Sequence, residues 1–159
     1  MRQDNKLSRT LHVLLHMARH NNVYTSEEIA MMLGTNSAVV RRTLAGLREA
    51  GFVTAVKGHH GGWRIAVDLR DISLLDIYRA VGISHLFAIG GGDENPECAV
   101  EAAVNQALGN VLDEAEKALL ARFSEISLDD LKVGFESHFP ENLEAGDTAC
   151  IVKLRQSGI

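Results

Sequence analysis

Apolar residues recur every three or four positions at the start of the chain, and this spacing predicts helices. One apolar face predicts a first helix over about residues 6–20, and its members are Leu7, Leu11, Leu14, Leu15 and Ala18. Thr25 and Glu28 then have the spacing of a capping box, in which each side chain accepts a hydrogen bond from the backbone N–H of the other residue. We therefore expect a short second helix that ends at Gly34.

A third amphipathic segment follows after a tight turn. We expect this helix to have Asn36 or Ser37 as its N-cap and to end at Gly51. Its apolar stripe consists of Val40, Leu44 and Leu47. Its opposite face is polar and basic and consists of Ser37, Arg41, Arg42, Ala45 and Arg48.

Two short apolar runs after the third helix are typical of β-strands. "FVTAV", residues 52–56, and "WRIAV", residues 63–67, are joined by "KGHHGG". We expect Gly61 and Gly62 to adopt the positive φ of a tight turn, and the Trp63 ring to pack against the domain. Helices followed by a hairpin in this order predict a winged helix-turn-helix domain. The predicted fold class is therefore mainly α with a small β-hairpin (α+β).

The second half of the chain predicts a long helix. Ser73 caps a short fourth helix, and after a glycine-rich loop Asn95 and Pro96 are expected to begin a helix that ends near Ile126. About 30 residues at 1.5 Å each would make it roughly 45 Å long. A short further helix is predicted at 127–131. The predicted domains are a winged helix-turn-helix domain at 1–82, a loop and long dimerisation helix at 83–132, and an extension at 133–159.

The long helix carries two apolar stripes, which indicates two packing partners. One stripe consists of Leu108, Leu112, Ala115, Leu119, Phe123 and Ile126, and the other of Val100, Val104, Ala107, Val111 and Ala118. We expect one stripe to pack on the winged domain and the other to form a homodimer seam. The candidate interface residues are Val104, Leu108, Val111, Leu112 and Leu119.

The charge distribution indicates a polyanionic partner for the first half of the chain. Residues 1–70 hold ten Lys and Arg against five Asp and Glu, a formal charge of +5, whereas residues 71–159 carry −10. With 46% hydrophobic and 23% charged residues, and no run approaching a membrane span, the composition predicts a soluble protein. Two cysteines, Cys98 and Cys150, make no disulfide framework, so we expect a cytoplasmic location.

These motifs together resemble one family of bacterial regulators. The wing's "GHHGGW", the "ISLLDIYRAV" that follows, and a long helix opening on "NPEC" and closing on "ISLDDL" are similar to the Rrf-two family of transcription regulators. The resemblance covers about residues 6–131. It implies a homodimer whose third helix enters the major groove, whose wing touches the minor groove and whose long helix crosses the partner.

The expected DNA contacts lie on the third helix and the wing. They are Ser37, Arg41, Arg42, Arg48, Lys57, His59, His60 and Arg64. Arginine near the start of a recognition helix can bond guanine O6 and N7, and the cationic wing suits the minor groove or its phosphates. His12, His16 and His20 recur every four residues, but no Cys, Asp or Glu joins them, so we expect a polar stripe and no metal site.

The cysteines depart from the resembled family. Several members hold an iron–sulfur cluster on three closely spaced cysteines before the long helix, whereas this chain has only Cys98 there. We therefore expect no cluster and no other cofactor. The helix dipole would lower the Cys98 thiol pKa, but Glu94, Glu97 and Glu101 act the other way, so a packing cysteine is favoured over a redox sensor.

The function that these observations predict is regulation of transcription without catalysis. We expect a homodimeric, sequence-specific DNA-binding regulator, a repressor acting on a palindromic operator. No nucleophile motif such as G-x-S-x-G occurs, so an enzyme is not expected. Two alternatives stay open. One is an adaptor whose winged domain binds protein and not DNA; the other is a sensor of a small-molecule effector, bound between the winged domain and the long helix, or of thiol redox state.

Overall fold

The computed structural model describes residues 6–20, 22–59, 61–83 and 98–138 of the 159-residue chain. Within these ranges the order of elements matches the predicted order. The helices and strands are α1 (Lys6–His20), α2 (Ser26–Leu33), α3 (Ser37–Glu49), β1 (Val53–Val56), β2 (Gly62–Ile65), a 3-10 helix (Leu69–Asp71), α4 (Leu74–Ala80), α5 (Ala99–Glu125) and α6 (Leu128–His138). The mainly α fold with a small hairpin is confirmed.

A single apolar core joins the winged domain to the start of α6. Leu14 of α1, Leu47 of α3 and Ile77 of α4 are fully buried within it, and Leu128 of α6 packs beside them. The predicted stripe of α3 is confirmed, because Val40, Leu44 and Leu47 are all buried. Burial of these faces, and not intrinsic helix propensity, supplies most of the stability of such short helices.

The predicted caps of α2 and α3 are confirmed. Thr25 and Glu28 form a capping box at α2, and Gly34 ends that helix with a left-handed φ of 56°. At α3 the N-cap is Asn36 rather than Ser37, since its Oδ1 accepts a hydrogen bond from the Val39 backbone N–H at 3.0 Å. The tight turn between α2 and α3 therefore lies between the C-cap Gly34 and the N-cap Asn36.

The hairpin is slightly shorter than predicted and turns differently. Strands β1 and β2 are antiparallel, with Val53 opposite Ile65 and Val56 opposite Gly62. The expectation of positive φ at Gly61 and Gly62 is wrong, because neither has one; Gly58 in the same loop has a φ of 114°. Glycine is needed at 61 for space, since a Cβ there would lie 2.5 Å from the Val56 carbonyl oxygen.

Helix α5 begins later than predicted. The structure begins it at Ala99, with Cys98 as an extended N-cap, and its 27 residues make a rod of about 40 Å. Asn95 and Pro96, the predicted start, lie outside the described residues. The C-terminal end of α5 is tied to the winged domain, because Leu74 N–H donates to the Ile126 carbonyl at 2.9 Å and Leu128 N–H donates to the Ile72 carbonyl at 2.8 Å.

Helix α6 is longer than the short helix predicted at 127–131. It continues to His138, so the first six residues of the predicted extension, 133–138, are helical. α6 contacts both α1 and the 3-10 helix, which fixes it to the winged domain. Residues 139–159, with Cys150, lie outside the described residues.

Candidate nucleic-acid interface

The arginine-rich face of α3 is exposed. Arg41, Arg42 and Arg48 lie on the solvent side of the helix, while Ser37 is half-buried at its first position. The opposite stripe is held in the core, so the orientation of this face is fixed by packing. The structure therefore presents three guanidinium groups on the exposed side of α3.

One of these arginines has a partner that the sequence pattern did not identify. Glu27 of α2 accepts a hydrogen bond at its Oε1 from Nη2 of Arg41, at 2.8 Å. The two residues are fourteen positions apart and meet only because α2 packs on α3. A sequence signal was present in part, since Glu27 lies in the first turn of the predicted second helix, but its contact depended on how the two helices dock.

The wing residues are exposed as well. Lys57 and His59 lie in the hairpin loop and Arg64 lies on β2, and all three are exposed. His60 lies outside the described residues. On β2 the side chains alternate, so that Trp63 is buried while Arg64 faces solvent. The hairpin therefore carries cationic groups outward while its apolar side closes the core.

Trp63 fixes the wing to the start of α2. Its backbone N–H and carbonyl pair with those of Tyr24, at 2.8 and 3.0 Å, and its indole N–H donates to Ser26 Oγ at 3.0 Å. A Cβ at Gly62 would lie 2.4 Å from the Tyr24 carbonyl oxygen, so only glycine permits this approach. The predicted packing of Trp63 against the domain is confirmed, and Trp63 joins the wing to the start of α2.

Two of the three helix-α1 histidines are in contact. His12 and His16 are half-buried, and their Nε2 atoms are 2.9 Å apart, so one ring donates a hydrogen bond to the other. The His20 side chain lies outside the described part of the chain. At these two positions the expected polar stripe is a partly covered, hydrogen-bonded pair. Among the described residues, no group of three or more His, Cys, Asp or Glu could hold a metal ion.

We expected Cys98 to pack in a core, but it does not. It is exposed, and it lies just before α5 as the N-cap residue, not inside a helix that begins at Asn95 and Pro96. The backbone N–H groups of Glu101 and Val100 at the start of α5 favour the thiolate and so lower the pKa of the Cys98 thiol. The Cys98 side chain forms no capping hydrogen bond there. Glu94 and Glu97 lie outside the described residues, so the expected opposing effect of the neighbouring glutamates stays a prediction.

Helix α5 has a half-buried face and an exposed apolar face. Leu112, Leu119 and Phe123 are half-buried. Helix α5 contacts α4, and the Phe123 ring lies edge-on to Tyr78 of α4 at 6.2 Å. The other face is open: Val100 is 72% exposed and Val111 65% exposed, and Val104 and Leu108 are exposed as well. Of the predicted interface residues, Val104, Leu108 and Val111 therefore lie on the exposed face, whereas Leu112 and Leu119 lie on the half-buried one.

A mostly apolar cleft lies within the winged domain. It is bounded by α1, α2 and α3, and its lining includes Arg9, Val13, Ile29 and Val39. The alternative of an effector site between the winged domain and α5 stays a prediction. In the described ranges, no helix combines the length and the apolar character needed to cross a membrane.

Comparison with known proteins identifies the family. The family model Rrf2, described as an iron-dependent transcriptional regulator, matches residues 3–133. The chain is 32% identical over 129 residues to YwnA of Bacillus subtilis, which is named as an HTH-type transcriptional regulator, and the match covers 80% of this chain and 95% of that protein.

Solved structures show the same fold. A transcriptional regulator from Lactobacillus plantarum superposes with a TM-score of 0.70 at 20% identity, covering 92% of this chain and 99% of its own. IscR from T. potens superposes with a TM-score of 0.60 at 22% identity, covering 87% of this chain and 90% of its own. These structures share the winged-helix architecture described above.

The residues present do not fit an iron centre of the cysteine-ligated kind. Fe–S clusters are usually held by four ligands, mostly cysteine thiolates, and the sequence contains only Cys98 and Cys150. Of the two, only Cys98 lies in the described residues, and no cluster of three metal-ligand residues surrounds it there.

We predict that the protein purified without air contains no iron–sulfur cluster. The physical reason is the shortage of thiolate ligands, because a single chain supplies two cysteines at most. Iron analysis and the visible absorption spectrum of the anaerobic protein measure this directly. A brown protein with about two or more irons per chain would contradict the prediction.

The family assignment rests on agreement between sequence and fold. The matched segment includes the helix-turn-helix, the wing, α5 and the first part of α6, and therefore most of what the structure describes. That segment carries the exposed arginine-rich face of α3 and the wing that Trp63 joins to the start of α2. The chain belongs to the Rrf2 family of helix-turn-helix transcriptional regulators.

Proposed function

We propose that the protein is a homodimeric repressor that binds a palindromic operator through α3 and the wing. The observation that carries this proposal is the exposed face of α3 with Arg41, Arg42 and Arg48, next to a wing that Trp63 ties to α2. Arginine suits guanine edges in the major groove because its planar fork of donors matches O6 and N7. The residues proposed to contact DNA are Ser37, Arg41, Arg42, Arg48, Lys57, His59, His60 and Arg64.

The wing and the helix contribute differently to recognition. Lys57, His59 and Arg64 are exposed on the hairpin, where cationic groups reach phosphates or a narrow minor groove without reading individual bases. The arginines of α3 reach base edges. We therefore propose that wing contacts set affinity for all sequences, whereas α3 sets the preference among them.

The proposed dimer is supported by the open face of α5. Val100, Val104, Leu108 and Val111 are all exposed on one side of a 27-residue helix, and a continuous apolar stripe of this kind is expensive to leave in water. A second copy of the chain can cover it in a twofold arrangement, which would bring two copies of α3 to two half-sites. A repressor would then act from the cytoplasm by occupying its operator and excluding the polymerase.

A thiol-redox sensor is a second candidate, because of Cys98. Its thiol is exposed and its pKa is lowered, and both properties favour the reactive thiolate. This function adds an input to the DNA-binding regulator and leaves the proposed role of α3 unchanged.

Replacing Arg41 tests the proposed reading of DNA bases. We expect Arg41→Ala to lower the ratio of operator affinity to scrambled-sequence affinity about tenfold, because a bidentate guanine contact contributes about 1–3 kcal/mol of discrimination. Fluorescence anisotropy on an operator duplex, obtained by selection from random sequence, and on a scrambled duplex of equal length measures the ratio. Arg122→Ala removes the same charge from α5 and should leave the ratio unchanged. Equal loss on both duplexes after Arg41→Ala would contradict base readout by this residue.

A further inference from the structure

Two adjacent glutamates at the start of α2 make different contacts. Glu28 is used within its own turn, where its Oε2 accepts hydrogen bonds from Thr25 N–H at 2.7 Å and Thr25 Oγ1 at 2.9 Å. Glu27 instead reaches across to α3, and its Oε1 accepts from Arg41 Nη2 at 2.8 Å. Glu27 therefore has no part in the capping box and places a carboxylate on the proposed DNA-reading surface.

The contact restrains Arg41 without using up its donors. Only Nη2 of the guanidinium bonds to Glu27, and the Arg41 side chain remains 59% exposed. A guanidinium has five N–H donors, so most of them stay available to a ligand. Within the described residues Arg42 and Arg48 have no such ion pair, which makes Arg41 the restrained member of the three.

Stability of the fold does not account for this ion pair. The Glu27 side chain is 62% exposed, and ion pairs at that exposure contribute little to folding because water and salt screen them. Restraint of a long side chain does matter for recognition, because a side chain that is already oriented loses less conformational freedom on binding. Negative charge at a DNA-facing surface also opposes binding to any phosphate backbone.

We propose that Glu27 is a positioning and specificity-determining residue for DNA. It orients Arg41 toward a guanine edge in the operator, and its charge weakens binding to sequences where Arg41 finds no guanine to offset the repulsion. Discrimination against wrong partners by an unfavourable charge is a general way of raising specificity. This proposal rests on the proposed role of α3 in reading bases.

The test is Glu27→Gln in the full-length protein, with Glu49→Gln as the matched control. Glutamine keeps the shape of the side chain and removes its charge. Glu49 is exposed at the end of α3, about 12 Å along the helix from Arg41, so its replacement removes the same charge without the contact. Anisotropy on operator and scrambled duplexes at several salt concentrations gives both affinities.

We expect Glu27→Gln to raise affinity for the scrambled duplex about threefold while operator affinity falls about threefold, so that their ratio falls about tenfold. Glu49→Gln should raise both affinities alike. In an Arg41→Ala background the effect of Glu27→Gln on the ratio should disappear, because the glutamate acts through that arginine.

Three results would overturn the proposal. The first is an equal rise in affinity for both duplexes in Glu27→Gln, which would mean that Glu27 repels DNA of any sequence. The second is an undiminished change of the ratio in the Arg41→Ala background. In either case, relaxed base preference in Arg41→Ala alone would leave the proposed function standing. The third is an unchanged ratio in Arg41→Ala itself, which would remove base reading by Arg41 and the role of Glu27 with it.

Discussion

Val111→Glu is expected to convert the protein from a dimer into a monomer. Val111 is 65% exposed on α5 in the single chain, on the same side as Val100, Val104 and Leu108. If that face forms the seam, the substitution buries a carboxylate against apolar side chains with no cationic partner. An uncompensated buried charge costs about 3–5 kcal/mol, and a twofold seam contains two copies of it.

The loss of the dimer should also weaken DNA binding. A palindromic operator offers two half-sites, and a monomer can occupy only one of them at a time. We expect sedimentation to give the mass of one chain, and anisotropy on the operator to show a loss of well over tenfold in affinity.

Asn110→Glu is the matched control for this experiment. Asn110 is the neighbouring residue on α5 and is exposed, but a helix turns by about 100° per residue, so its side chain lies off the apolar face. The Asn110→Glu substitution adds the same negative charge as Val111→Glu and should leave the dimer intact. A dimeric Val111→Glu protein would show that the seam lies elsewhere.

Gly46→Ala is expected to destabilise the protein by about 2 kcal/mol, although alanine is the better helix former. Gly46 lies in α3 where this helix crosses the end of α4, and a Cβ at this position would lie 2.3 Å from the Ala80 carbonyl oxygen. Neither atom can rotate away, so one helix has to shift. Overpacking of this kind costs about 1–3 kcal/mol and outweighs the gain of about 0.5–1 kcal/mol that alanine makes in an open helix.

Thermal unfolding at one fixed protein concentration measures this effect. For a domain of this size a loss of 2 kcal/mol lowers Tm by about 4–8 °C. Gly109→Ala provides the comparison, because nothing lies within 4 Å of a Cβ at that position of α5. That variant should keep or slightly raise Tm, and a similar rise in Gly46→Ala would mean that α3 and α4 do not approach as closely as the structure shows.

Most of the fold was predictable because its signals are local. Capping residues, glycine stops and apolar periodicity act within one or two turns of the chain, which is why α1 to α4 and the hairpin were placed correctly. The prediction about the hairpin glycines was wrong because the distance to neighbouring backbone segments decides where glycine is required. Gly61 and Gly62 are required by close backbone approach, to Val56 and Tyr24 respectively, and not by positive φ.

In the candidate site, too, some features could be predicted from the sequence and others could not. Arg41, Arg42 and Arg48 could be assigned to the outer face of α3 from spacing alone, because a helix with a buried stripe has only one opposite side. The partner of Arg41 could not be assigned, since Glu27 reaches it only through the docking of α2 on α3. Likewise, two apolar stripes on α5 indicated two partners, but only the burial in the folded chain showed that Leu112 lies on the half-buried face and Val111 on the exposed one.

Helix order, the wing, the basic recognition face and the family resemblance were thus present in the residue pattern, because each depends on neighbours in the chain. The orientation of Arg41, the half-buried His12–His16 pair, the exposure of Cys98 and the need for glycine at 46 emerged only with the tertiary structure. Those features depend on distances between elements that are far apart in sequence. Such distances are set by how whole helices pack, which no local pattern of residue types encodes.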